Sequence, residues 1–403
     1  MDLDLGPAYA EFRAFVRRVA ETELRPHIAT WEAQGGYPRQ VLQRLGELGL
    51  LGVPIPTRYG GQGRDYLALA VLCEELEYVD TAFRVAISVH TALNSLTLLQ
   101  WGTEEQKQAY LVPQARGERL AGFGLTEPEA GSDAAGIRTT ARRDGAVYLL
   151  TGTKAWIGLA NLADQFLVFA RTDPDPASRH RGISAFIVER DFPGFRSAPL
   201  PGKLGIRAAD TGYLIFEECR VPARNRLGEE GEGFYIAMSA LDWGRYTVAA
   251  GCLGLIRACL EASLAYARER QAFGQPIGRF QLVQEMIAEM VAGLETSRLL
   301  VLRTGLLKNR GQRTTRETSL AKWVASEAAM RAADLALQIH GAWGYTSLQP
   351  LERYWRNARG ALIYEGTREV HKIIQAEYAL GYRQDRPLRC PPPPAPGWET
   401  AAE

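Results

Sequence analysis

The strongest constraint on what this chain can fold into is a double change in the spacing of its apolar residues. From Tyr9 to about Arg116 they recur at three- and four-residue intervals, as in Phe12, Phe15, Val16 and Val19 and again in Leu67, Leu69, Val71, Leu72 and Leu76. That is the period of amphipathic helices. After Gly117 it shortens: 138–143, an Asp144-Gly145 turn and 146–151 read as a hairpin, and β-rich runs follow at 166–170, 183–188, 195–200 and 213–216. About six strands without intervening helices predict an antiparallel sandwich or barrel rather than a parallel nucleotide-binding sheet. From about Glu232 long helical runs return, over 234–268, 280–307, 315–339 and from near Thr367 to before Gly381. Four such helices with short connections predict an antiparallel bundle.

The fold class expected is therefore α+β, mainly α, with an N-terminal helical domain (1–118), a middle antiparallel β domain (119–230), a C-terminal four-helix bundle (231–384) and a Pro-rich tail (385–403). Capping boxes mark two helix starts, at Thr103-Glu-Glu-Gln106 and Thr314-Thr-Arg-Glu317. The tail, with Pro391 to Pro394 in a row, is expected to be extended or disordered.

Charge and composition narrow the partners. With 47 basic and 46 acidic residues and no basic stripe, nucleic acid and anionic membrane are poor partners. Six of the basic residues are Lys, leaving 47 − 6 = 41 Arg. Cys73, Cys219, Cys252, Cys259 and Cys390 form no C-x-x-C, which fits a reducing compartment, and five His without H-E-x-x-H leave no metal site expected. No apolar run approaches the length of a membrane span, and no signal or transit peptide is visible, so a cytoplasmic location is expected. Neither G-x-G-x-x-G nor G-x-x-x-x-G-K occurs, so a nucleotide cofactor would have to be held without the usual phosphate loops.

The chemistry centres on Ile363-Tyr-Glu-Gly-Thr-Arg-Glu-Val-His371, where Glu365 stands just before Thr367, a residue able to cap the helix that follows. Alone, Glu365 would read as a loop acid. Three further stretches bear on it. Gly124-Leu-Thr-Glu-Pro-Glu-Ala-Gly-Ser-Asp133 offers small residues, hydroxyls and exposed amides that can approach a flat ring and a phosphate. Gly152-Thr-Lys-Ala-Trp-Ile-Gly158 ends a strand on an aromatic plane. Arg270-Gln-Ala-Phe-Gly-Gln-Pro-Ile-Gly-Arg-Phe-Gln281 places an Arg, a Phe and a Gln in a glycine-punctuated loop between two helices.

With Gln338-Ile-His-Gly-Ala-Trp-Gly-Tyr345, these runs occur in one order, and the chain resembles the acyl-CoA dehydrogenase family over residues 5–382. The resemblance implies non-covalent FAD, an acyl-CoA substrate, an electron-transfer flavoprotein as acceptor, and a homotetramer in which flavin sites are completed across subunits. Carried onto this sequence, it makes Glu365 the catalytic base, Thr126 and Ser132 the flavin- and thioester-side loop, and Trp156 the residue beside the flavin. Arg270, Phe273 and Gln281 resemble the segment that holds a neighbouring subunit's FAD, with Gln338 and Gly341 as a further adenosine-half contact. Thr367 and Glu369 are similar to positions touching the flavin, and Arg245 to a buried Arg supporting the active-site wall.

In the mechanism the resemblance implies, the thioester carbonyl is hydrogen-bonded by a flavin ribityl hydroxyl and the backbone N–H of Glu365, which stabilises charge building on oxygen. Exclusion of water raises the proton affinity of the carboxylate. The α-proton then goes to Glu365 and the β-hydride to the flavin, giving a trans-2-enoyl thioester. Two departures from the family pattern stand out: Trp156-Ile-Gly-Leu159 lacks a hydroxyl found at Gly158 in many members, and Glu369 replaces a common Gln.

Glu77, Arg84 and Ser88 resemble the segment of the glutaryl-CoA dehydrogenase branch that meets a distal carboxylate. Arg84 and Ser88 share a helical face. The same residues also allow Arg84 to pair with Glu77 and serve only structure. An acyl-carrier-protein thioester dehydrogenase, an acyl-CoA oxidase and a non-catalytic scaffold on this fold are the remaining alternatives. His90 and His371, lone histidines on helices, are given no role.

Overall fold

A computed structural model describes residues 5–397. Expectations for the first four residues and for 398–403 of the tail lie outside the described residues.

In the N-terminal region the helix Pro7–Val19 starts on a proline, whose missing N–H costs nothing in a first turn, and buries Phe12, Val16 and Val19. The helix Tyr66–Val79 is capped by Asp65, which accepts the Ala68 N–H at 2.9 Å. Nearly every residue of this helix is buried, so its acids need partners: Glu75 meets Arg17 at 2.8 Å and Glu74 meets Arg257 at 2.7 Å. Thr81–Trp101 runs on as one helical stretch and widens to π-helical over Ser88–Ser95, a feature found disproportionately beside functional sites. The Thr103 capping box forms, with Thr103 Oγ1 accepting the Gln106 N–H and Gln106 Oε1 accepting the Thr103 N–H, both at 3.2 Å.

Eight strands form one sheet in the order β6-β7-β3-β2-β4-β5-β8, with β1 pairing β4. They are β1 Ala121–Gly124, β2 Thr140–Asp144, β3 Val147–Gly158, β4 Gln165–Arg171, β5 Ile183–Glu189, β6 Phe195–Pro199, β7 Thr211–Pro222 and β8 Arg226–Leu227. Most pairings are antiparallel, as expected, but β1, and β2 at Thr140 opposite Arg171, run parallel to β4. The sequence hides β1 because Ala-Gly-Phe-Gly carries no β-branched residue. Gly122 is needed there, since a Cβ would lie 2.6 Å from the Phe166 ring. The hairpin turn sits one residue later than expected: Asp144 pairs with Val147, leaving Gly145 and Ala146 as the loop.

The C-terminal region contains the four expected helices, Gly233–Glu269, Gln281–Asn309, Thr315–His340 and Arg368–Ala379, together with an unexpected one, Leu351–Ala361. The last is Arg-rich and contains Gly360, yet it buries Leu351, Tyr354, Ala358 and Ala361 on one face. The second capping box does not form. Thr314 makes no side-chain cap: its hydroxyl accepts from Thr318 one turn on, at 3.1 Å, while Thr315 donates to Asp242 on another helix at 2.6 Å. Two helical stretches, Thr81–Trp101 and Gly233–Glu269, are long and apolar enough to cross a membrane by length and composition alone, but both are mostly buried in the core. The tail is extended and docked: Gln100 donates to Cys390 O at 2.9 Å, the Tyr66 hydroxyl to Pro393 O at 3.0 Å, and the Ala395 N–H to Asn309 O at 3.0 Å.

Candidate active site

Glu365 lies in the turn between the helices Leu351–Ala361 and Arg368–Ala379. Thr367 caps the second of these, its hydroxyl accepting the Val370 N–H at 3.3 Å. The turn is left-handed, with φ +55° at Glu365 and +96° at Gly366. A non-glycine residue held there carries strain on the order of 1–2 kcal/mol, so the surroundings must over-determine it. Two consecutive carbonyls are pinned by buried cations: Arg245 Nε donates to Glu365 O at 2.9 Å and Lys322 Nζ donates to Gly366 O at 2.7 Å. On the far side the His371 ring abuts Gly366, and its Nδ1 pairs with the Ser319 hydroxyl at 2.9 Å.

The carboxylate of Glu365 points into the protein. Its Oε2 is buried and has no hydrogen-bond partner among the described residues. The position is made possible by Gly244, where a Cβ would fall 2.1 Å from Oε2. Desolvation pushes the carboxyl up to about 7, against the opposing pull of Arg84, Lys322 and Arg245. A carboxylic acid poised near neutral pH with a free oxygen is equipped to take a proton from carbon or to return one.

Beside it lies a polar cluster of buried Glu77, Thr81, Arg84, Ser88 and Thr247 with half-buried Tyr364. Arg84 donates from Nε to Glu77 at 2.6 Å, from Nη1 to Ser88 at 3.3 Å and from Nη2 to the Tyr364 hydroxyl. Ser88 in turn bonds Thr247 at 2.7 Å, and Thr81 donates to the second oxygen of Glu77 at 3.0 Å. Arg84 therefore does pair with Glu77. Arg245 is also buried and faces Asp242 at 3.6 Å.

Thr126 and Trp156 come together, the Ala155 N–H donating to Thr126 O at 2.9 Å. Trp156 has φ +61°, sits where β3 slips register against β7, and leaves its ring 62% exposed. Behind the loop, Lys154 is buried and bonds Glu127 at 2.7 Å and Leu125 O at 3.1 Å. Burial lowers the Lys154 ammonium to about 8. Gly158 is explained by packing, since a Cβ there would meet Val89 at 2.9 Å. Ser132 is exposed in the preceding bend.

Arg270, Phe273, Gln281, Gln338 and Gly341 form a second group at the surface. All five are exposed, and Phe273, at the tip of the Gln271–Ala272/Gln275–Pro276 hairpin, has φ +52° and is 94% exposed. His340 stacks on Tyr266 at 4.3 Å, and Tyr266 O accepts the Arg270 N–H, which brings the hairpin and the 338–345 loop side by side. Among the described residues, no hydrogen bond or ring contact links this group to Glu365. Glu369 is exposed and ion-paired with Arg368 at 2.7 Å, which holds its carboxyl well down, to about 2.

Sequence reasoning passed over Lys322, Tyr364, Gly244 and the Lys154–Glu127 pair. A signal for the lysines was present: Arg dominates this chain, and Lys154, Lys308 and Lys322 are three of its six Lys, all fully buried. A lysine retained among so many arginines marks a place for a compact point charge rather than a planar fork. His90 is a satisfied core residue, with Nε2 on Gln114 O and Nδ1 accepting the Ala121 N–H, both at 3.1 Å.

A helical region, a sheet and a helical bundle in this order, shared with known enzymes, place the chain in an oxidoreductase class that acts on CH–CH bonds. Within it, the chain belongs to the acyl-CoA dehydrogenase family. Its residues 7–118, 122–219 and 231–380 match the N-terminal, middle and C-terminal domains of acyl-CoA dehydrogenase. It is 42% identical to an acyl-CoA dehydrogenase of Bacillus subtilis over 92% of this chain and 97% of that one. The solved butyryl-CoA dehydrogenase of Megasphaera elsdenii superposes with TM-score 0.91 at 37% identity, over 94% of this chain and 100% of that one. A glutaryl-CoA dehydrogenase in complex with glutaryl-CoA superposes with TM-score 0.90 at 36% identity, over 95% and 98%.

Proposed function

We propose that this chain dehydrogenates a short acyl-CoA thioester between its α and β carbons, with Glu365 removing the α-proton. The observation that carries this reading is the buried, unpartnered Oε2 of Glu365, with its carboxyl raised to about 7. The left-handed turn fixes that oxygen, and Gly244 gives it room. The Glu365 N–H is the candidate donor to the thioester carbonyl as charge builds on its oxygen.

The residues fit FAD: an exposed tryptophan whose neighbour Ala155 is tied to Thr126, and a second, outward-facing group with an unusually exposed phenylalanine. Thr126, Trp156, Thr367 and Glu369 would hold the flavin end, with Ser132 at the thioester side. Arg270, Phe273, Gln281, Gln338 and Gly341 would hold the adenosine end of a flavin bound in a neighbouring subunit, which requires an oligomer; a homotetramer is part of the proposal. Bound flavin supplies a two-electron acceptor for the β-hydride. The likeness to a chain in a solved electron transferring flavoprotein structure, TM-score 0.92 at 41% identity, supports an electron-transfer flavoprotein as acceptor, and a cytoplasmic location is part of the proposal.

A second reading, oxidative decarboxylation of a glutaryl thioester, draws on Arg84 and Ser88 beside Glu365 and on the likeness to the glutaryl-CoA complex. Against it stands Glu77, which already engages the Arg84 guanidinium. The test is the purified protein with butyryl-, isobutyryl- and glutaryl-CoA in the absence of oxygen. Yellow protein bleached by butyryl-CoA supports the first reading, and carbon dioxide from glutaryl-CoA the second. A colourless, inert protein would make it a scaffold.

A further inference from the structure

We propose that Lys322 is a positioning residue for the reaction: it holds the Glu365-Gly366 turn through Gly366 O and supplies the uncompensated positive charge that faces the carboxylate. The proposal rests on Glu365 being the base.

The geometry separates Lys322 from the other cations nearby. Arg84 is neutralised by Glu77 at 2.6 Å and Arg245 faces Asp242 at 3.6 Å. Lys322 is fully buried, and among the described residues no carboxylate lies within ion-pair distance of it. Its one hydrogen bond is to Gly366 O, at 2.7 Å. One turn earlier on the same helix, Ser319 holds the His371 ring against Gly366, so the Thr315–His340 helix grips the turn from two sides.

The charge has a direction. Lys322 favours ionised Glu365, opposing desolvation, and so limits, after Arg84, how far the carboxyl rises. Burial lowers the Lys322 ammonium to about 7, so its field fades above neutral pH. The other groups facing Glu365 or Lys322 are Arg84 on the Thr81–Ile87 helix, Arg245 and Cys252 on Gly233–Glu269, Cys73 on Tyr66–Val79, Tyr364 beside Glu365 and His371 on Arg368–Ala379; burial raises both thiols, which stay neutral. Buried His371 is held neutral, burial lowering its imidazole to about 2, and Tyr364 is raised by burial beyond the physiological range. Lys322 is thus the nearby cation whose own charge changes where Glu365 titrates.

The test is the pH profile of α-proton exchange with heavy water, using flavin-loaded enzyme and an acyl-CoA analogue blocked at the β-carbon. It is paired with infrared titration of the carboxyl, assigned by difference against Glu365→Gln. In Lys322→Met the acid limb and the infrared titration should both move up by about one pH unit, with flavin content unchanged. Lys322→Arg carries a charge that does not titrate and should move both below the parent. This second variant decides the matter if the first does not fold. Slower exchange with an unmoved limb in Lys322→Met, or a limb at or above the parent in Lys322→Arg, overturns the proposal. No exchange by the parent itself overturns the base assignment, and this proposal with it.

Discussion

Replacing Arg84 by Met tests how the buried floor of the site is held. The guanidinium and the Glu77 carboxylate are 1% and 0% exposed and 2.6 Å apart, so solvent offers neither any compensation. Removing the cation leaves Glu77 with the Thr81 hydroxyl as its remaining hydrogen-bond donor, and Tyr364 and Ser88 lose their guanidinium contacts. Stranding a buried charge in this way costs about 3–5 kcal/mol. Adding Glu77→Gln removes the stranded charge and should recover most of the loss, since a neutral amide needs only hydrogen bonds. The electrostatic consequence is separate. Arg84 is the strongest of the cations that hold the Glu365 carboxyl down, so both variants should move the acid limb of dehydrogenation upward from near pH 7. The assay is a denaturant midpoint for parent, single and double variants, with a pH profile of flavin reduction on each. A single variant within about 1 kcal/mol of the parent, or an acid limb displaced to lower pH, would refute the reasoning.

Three other outcomes follow from packing. Gly244→Ala drives a methyl to within 2.1 Å of Glu365 Oε2, and flavin reduction should slow by about 10²-fold or more while flavin content stays the same. Gly158→Thr should cost about 1–3 kcal/mol by overpacking Val89, and Val89→Ala in the same chain should recover it, both read as denaturant midpoints. Truncation after Gln384 removes the acceptors of Gln100 and Tyr66 and the Ala395 N–H that bonds Asn309. At about 1 kcal/mol for each bond, the unfolding midpoint should fall by an amount equivalent to about 3 kcal/mol. The Arg389–Glu232 pair, half in solvent, adds little.

What the sequence made legible follows from how local each signal is. The switches of apolar period placed the helical regions and most strands, and Thr103 and Thr367 cap helices as their motifs predict, because the groups they bond lie within the same first turn. Thr314-Thr-Arg-Glu317 carries the same signature and fails: the Thr314 hydroxyl accepts from Thr318 one turn on, and Thr315 beside it is held by Asp242 on another helix. The parallel β1–β4 pair was hidden for a similar reason: its strand is defined by what packs on Gly122, not by its own residues. At the site, Glu365 could be read from the motif around it, whereas Lys322 lies 43 positions earlier on a helix that looks ordinary. Its role exists only once the chain folds Gly366 O onto its ammonium.

The most direct measurement of the central claim is the flavin spectrum of Glu365→Gln mixed with butyryl-CoA without oxygen. Gln fills the same space and leaves the backbone contacts of Arg245 and Lys322 in place. The variant should therefore purify yellow and keep its flavin, and thioester should not bleach it. Bleaching at the parent's rate would show that a different group removes the α-proton.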